Sequence, residues 1–114
     1  MKQNMIRSLV IVLALGSGAA SAQDGEDGLS YEEKLAACAA CHGENGDKPL
    51  APDYPILAGQ FADYTRWALE AYRSGRRDHP IMKMQVEALG LTSEDIARLA
   101  EHFAAKPGLE SLAE

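Results

Sequence analysis

The 114-residue chain carries 17 acidic and 11 basic side chains, for a net charge of −6. That length holds one domain at most, and the acid excess argues against nucleic acid or an anionic membrane as partner, and for basic surfaces met through electrostatic steering. With two Phe, one Trp and four Tyr, the apolar mass available for a core is thin.

The chain opens with Lys2 and Arg7, a short apolar run from Leu9 to Leu15, and the small-residue site Ala20-Ser21-Ala22. This pattern predicts a cleaved secretory signal peptide over residues 1–22. A membrane anchor is the alternative. The run from Ile6 to Ala22 is broken by Ser8, Gly16, Ser17 and Gly18, however, and a span needs about 20 apolar residues. No stable membrane insertion is therefore expected after cleavage, and the lack of a cysteine at the cleavage point argues against a lipid anchor. Cleavage leaves 92 residues, with nine basic against 17 acidic side chains and a net charge of −8. Residues 23–28 are acidic and glycine-rich, a composition that predicts a flexible start.

Ser30 followed by Glu33 has the form of a capping box, and Tyr31, Leu35 and Cys38 continue at helical spacing. The first helix thus delivers two cysteines at its end. A turn-rich stretch from Gly43 to Pro49, extended by Pro52 and Pro55, is read as a loop. Phe61 to Ser74 is the second predicted helix, with Phe61, Tyr64, Ala68 and Tyr72 as its apolar stripe and Trp67 and Leu69 beside it. Gly75 is a natural stop, and Arg73, Arg76 and Arg77 gather where cations suit the helix dipole. Pro80 to Leu89 is expected as a loop or helical turn bearing Met82 and Met84, punctuated by Gly90. The last helix starts at the cap Thr92, with Asp95 three residues on and Leu91 and Ile96 as a hydrophobic staple. Ile96, Leu99, Ala100 and Phe103 form its buried stripe, and Lys106-Pro107-Gly108 ends it. Beyond the leader nothing alternates with period two, so the fold class is all-α.

The most specific feature is Cys38-Ala39-Ala40-Cys41-His42. C-x-x-C-H is the attachment signature of a c-type haem: each thiol adds across a vinyl group, and the adjacent imidazole ligates the iron. Two rival uses exist. A dithiol redox site would want a βαβ setting that this helical pattern lacks. A zinc site needs four ligands, and Cys38, Cys41 and His42 would have to recruit His79 or His102. A buried macrocycle would also supply the missing apolar mass, since an exported domain this small usually relies on several disulfides or a metal. Candidates for the sixth ligand are Met82, Met84, His79 and His102. Two methionines, about 40 residues past the motif and just before the last helix, point to a thioether ligand, which raises the potential and closes the iron to oxygen. His102, next to Phe103, reads as a packing or surface residue.

Over residues 29–105 the chain resembles a class I c-type cytochrome of the small bacterial periplasmic kind, similar to one domain of the dihaem cytochromes c. The resemblance rests on Cys38 to Gly43, Tyr54 to Gln60, Tyr64, Arg73 to Arg77, the methionine segment and Asp95 to Ala100, in that order. It implies a class I cytochrome c fold, a few helices around one covalent haem c, in a domain spanning 29–106 with a tail at 107–114. It further implies haem on Cys38 and Cys41, His42 as proximal ligand, and the Pro55 carbonyl accepting the proton of the other ring nitrogen. Tyr64, Trp67 and the arginine group, Arg77 included, become partners of the propionates. By family spacing Met82 is preferred as distal ligand and Met84 is the alternative. One departure concerns the helix crossing: Ser30-Tyr31 and His102-Phe103 lie where the family packs a small residue against an aromatic, so a repacked crossing is expected. The implied function is periplasmic one-electron transfer, with redox proteins docking at an exposed haem edge and no catalytic residues of its own. The alternatives are a haem c subunit of a periplasmic dehydrogenase and, in another class, the zinc-binding or dithiol protein.

Overall fold

A computed structural model describes residues 28–108. The expected signal peptide at 1–22, all but the last residue of the acidic start at 23–28, and the tail beyond 108 lie outside the described residues. Among the described residues there are four helices and no strand: α1 (Tyr31–His42), α2 (Ala62–Ser74), α3 (Pro80–Ala88) and α4 (Ser93–Ala104).

Both predicted capping boxes form. The backbone N–H of Glu33 donates to Ser30 Oγ at 3.3 Å, and Ser30 N–H donates back to the Glu33 carboxylate at 2.7 Å. At the head of α4, Asp95 N–H donates to Thr92 Oγ1 at 3.1 Å and Thr92 N–H to Asp95 Oδ2 at 2.9 Å. Each exchange satisfies orphan donors of a first turn. α2 has no side-chain cap at Phe61, and stops at Gly75, which takes the left-handed conformation at φ +79°.

The segment left open as a loop or helical turn is a full helix, α3. His79 accepts from the Met82 N–H as its N-cap, Pro80 sits at the first position where its missing donor costs nothing, and no breaker follows before Gly90. Hydrophobic periodicity is weak over so short an element, so the cap and the proline carry the signal.

The closed part of the core is the cluster Val86, Leu91, Ile96 and Leu99, with Tyr31, Leu35, Cys38, Leu69, Tyr72 and Leu89 packed on it. The α4 stripe is buried at all four expected positions. The α2 stripe is different. Thr65, Ala68 and Ala71 are its buried residues, while Phe61 is 78% exposed. α2 packs against α4 with its small side chains buried; Leu69 and Tyr72 pack on the core cluster, while Phe61, Tyr64 and Trp67 are exposed.

At the crossing of α1 and α4, Lys34 Nζ lies 2.7 Å from Asp95 Oδ2, both side chains being about one-tenth exposed. The Arg98 guanidinium lies 3.7 Å over the Tyr31 ring. The contact of α1 with α4 here is a buried ion pair with a cation–π contact beside it. Phe103 is turned to the loop instead, against Gly46: a Cβ there would fall 2.7 Å from Phe103 Cδ1.

Candidate functional site

The long segment between α1 and α2 has no regular structure but is tied down at several points. Leu50 N–H donates to the Cys41 carbonyl, Leu57 and Ala58 N–H both donate to Gly46, and Gly59 N–H donates to Phe103. It can turn sharply out of α1 because Gly43, at φ +93°, lets the chain run against Lys48, where a Cβ would sit 2.7 Å from a backbone oxygen. The outcome is a loop wall facing α2 and α3 across a cavity of about 490 Å³.

The cavity gathers most of the residues singled out in the sequence. Cys38, Cys41 and His42 enter from the end of α1, and Pro55 from the loop. Tyr64 and Arg77 line it from α2 and the turn after it, and Met82 from α3. His42 is buried, and its Nδ1 lies 2.8 Å from the Pro55 carbonyl oxygen. A carbonyl can only accept, so Nδ1 carries the proton and Nε2 keeps its lone pair. Tyr54 packs edge-on to the same imidazole, with ring centroids 6.2 Å apart. Burial pushes the Cys38 thiol up to about 11, so a free thiol there would be inert near neutrality, whereas a thioether in the same place is simply apolar.

Other expected residues are distributed differently. Met84 is 56% exposed and does not line the cavity. Trp67 does not line it either; its ring lies under the Arg77 guanidinium at 5.9 Å, and Tyr72 takes the same cation at 5.2 Å. The arginine group divides. Only Arg77 reaches the cavity, while Arg73 donates to the Leu91 carbonyl and to Ser93 Oγ, fastening the turn before α4 to α2. His102 stacks edge-on against Phe103 away from the cavity. Tyr72, expected as part of the apolar stripe, and His79, a candidate sixth ligand, also belong to the lining. The sequence signal for His79 was its place directly before a proline that opens a helix.

A cavity of this size, with mostly apolar walls, suits a large flat apolar group. Two thiols, an imidazole with one free lone pair, a thioether side chain and one cation in its lining make a donor set that fits a haem. Among the described residues no cluster of three or more His, Cys, Asp or Glu side chains is placed to hold a metal ion, so the zinc reading finds no ligand set.

Comparison with known proteins agrees. The cytochrome c family pattern matches residues 31–104. Cytochrome c-554(548) of Halomonas halodenitrificans is 41% identical over 81 residues, which cover 70% of this chain and 96% of that protein. Cytochrome c4 of Pseudomonas aeruginosa is 33% identical over 102 residues, covering 90% of this chain and 48% of the relative. The thiosulfate dehydrogenase electron acceptor of Stutzerimonas stutzeri is 41% identical over 71 residues, covering 62% and 32%. The chain therefore spans nearly all of the first relative, about half of the second and a third of the third. The helical fold, the C-x-x-C-H motif and these matches define a member of the cytochrome c family, of class I. Its cofactor is haem c and its function is electron transfer.

Proposed function

We propose that this chain is a periplasmic one-electron carrier whose haem would be joined to Cys38 and Cys41, with His42 and Met82 holding the iron, and which has no catalysis of its own. When bound, the haem supplies the ferric–ferrous couple. The polypeptide supplies the rest. Pro55 accepts from His42 Nδ1 and so fixes the tautomer and the orientation of the ring. The cavity walls are mostly apolar, and Arg77, held between Trp67 and Tyr72, offers a cation in the lining for carboxylate groups. The observation that carries the ligand assignment is that Met82 lines the same cavity as His42 while Met84 faces solvent.

The test is spectroscopic. Methionine ligation gives a weak absorbance at the red end of the ferric spectrum, expected to vanish in Met82→Ala and to persist in Met84→Ala; the reverse would overturn the assignment. Mass spectrometry of the exported protein should show the added mass of one haem and the loss of residues 1–22. The leader pattern supports export, and among the described residues no helix is long and apolar enough to cross a membrane.

A second reading makes the chain the electron-accepting subunit of a periplasmic dehydrogenase. It is favoured by the relative named as the electron acceptor of thiosulfate dehydrogenase. Migration of the native protein as a stable heterocomplex would support it over a free shuttle.

A further inference from the structure

His79 holds an unusual position. It lines the haem cavity and is also the N-cap of α3, its Nδ1 accepting from the Met82 N–H at 3.3 Å. The donor in that bond is the backbone of the residue assigned above as distal ligand. Tyr72 packs edge-on to the imidazole, with centroids 6.0 Å apart, and Tyr72 is itself covered by Arg77. The imidazole is thus oriented from the α2 side and grips the first turn of α3.

We propose that His79 is a positioning residue that fixes the Met82-bearing turn against the haem and is kept off the iron by the same hydrogen bond. This rests on the Met82 assignment. The second half follows from ring chemistry. A neutral imidazole has one lone pair and one N–H. With Nδ1 accepting from Met82, the proton sits on Nε2, and that nitrogen has no electrons to give to a metal. To become a ligand His79 would have to give up the cap, either to free the Nδ1 lone pair or to move its proton there and use Nε2. The bond that anchors the backbone of Met82 therefore also occupies the lone pair of the His79 imidazole.

The experiment uses the haem-loaded protein and free imidazole as a displacing ligand. Imidazole binds only when the methionine–iron bond opens, so its apparent affinity scales with the open fraction. His79→Ala removes the cap, and the open fraction should rise by about fivefold, the usual worth of one N-cap. His79→Asn, which restores a capping acceptor, should return the affinity to within about twofold of wild type. Thr92→Ala, which removes the comparable cap of α4, should leave imidazole affinity unchanged, because it loosens the fold without touching the Met82 turn. Equal affinities in His79→Ala and wild type, failure of His79→Asn to rescue, or a rise in Thr92→Ala matching that in His79→Ala would each overturn the proposal. A red-end band that survives in Met82→Ala would instead remove the ligand assignment itself, which separates the two failures.

Discussion

Along α4 the residues Ile96, Leu99, Ala100 and Phe103 are each no more than 2% exposed, whereas on α2 the aromatic residues Phe61 and Trp67 are mostly in solvent and Tyr64 is about half exposed. Both helices carry an apolar stripe in the sequence. The α4 stripe meets other side chains of the same chain and closes on them. On α2 the buried residues are all small; Leu69 and Tyr72 pack on the core cluster and, with Tyr64, border a cavity, while Phe61 and Trp67 face solvent. A polypeptide that relies on a macrocycle for part of its core leaves that part unfinished, and apolar periodicity there no longer reports burial.

The strongest way to break this contrast is to deprive the protein of its cofactor. Cys38→Ala combined with Cys41→Ala should abolish covalent haem, read as loss of the Soret band after acidic acetone extraction. The same variant should lose its near-UV circular dichroism, since among the described residues the largest fully buried side chains are only Phe103, Ile96, Leu99 and Val86, too few to hold so small a chain. A double variant that kept fixed tertiary structure would show that the closed side suffices alone.

On the closed side, Asp95→Ala should cost about 3 kcal/mol, because it leaves Lys34 buried without its partner. The check is a denaturant midpoint measured on the haem-loaded protein, with the red-end band unchanged in the folded baseline. The pair also sets an acid limit. Burial alone would raise the Asp95 pKa, but hydrogen bonds from Lys34 and Thr92 outweigh that and hold the carboxyl below its ordinary value. A depressed value in the folded state means the contribution is complete above the unfolded pKa of about 3.9 and is lost as pH falls through the lower folded value. Asp95→Asn should therefore flatten the acid-unfolding limb below pH ~4.

Gly46→Ala probes the seam between the two regions. It forces a Cβ onto a residue at φ +72° and against Phe103, and should cost about 2 kcal/mol. A larger loss of the red-end band than of global stability would place the strain on the cavity side. The smallest effect is expected from Trp67→Ala. It removes one exposed face of the Arg77 stack, worth less than ~1 kcal/mol, and should shift the reduction potential more clearly than the melting temperature.

This contrast also explains what could be read in advance. Ser30 with Glu33, and Thr92 with Asp95, are short-range codes that depend on three or four residues, and both formed as written. The α4 stripe was legible because its partners are apolar side chains of the same chain. C-x-x-C-H exposed the chemistry directly. The burial of Thr65 and Ala71 was hidden because periodicity weights bulk, while the close approach of α2 to α4 selects smallness. α3 was hidden because its evidence lies in a cap and a proline at one end. The Lys34–Asp95 pair was hidden because it joins residues 61 positions apart, and nothing local announces a buried lysine. Which methionine faces the cavity depends on the rotation of α3, for which the family spacing gave only a preference for Met82 over Met84.

The acceptor for His42 is a main-chain oxygen in a loop stitched to Gly46, Cys41 and Phe103. No replacement of the Pro55 side chain can delete that oxygen; only a change in the path of the loop can move it. The electronic environment of the His42 imidazole is therefore protected from most point mutations at position 55 and exposed to those at remote anchors, so that insertions or glycine losses in the loop, more than changes beside the imidazole, are where related chains would be expected to diverge in redox behaviour.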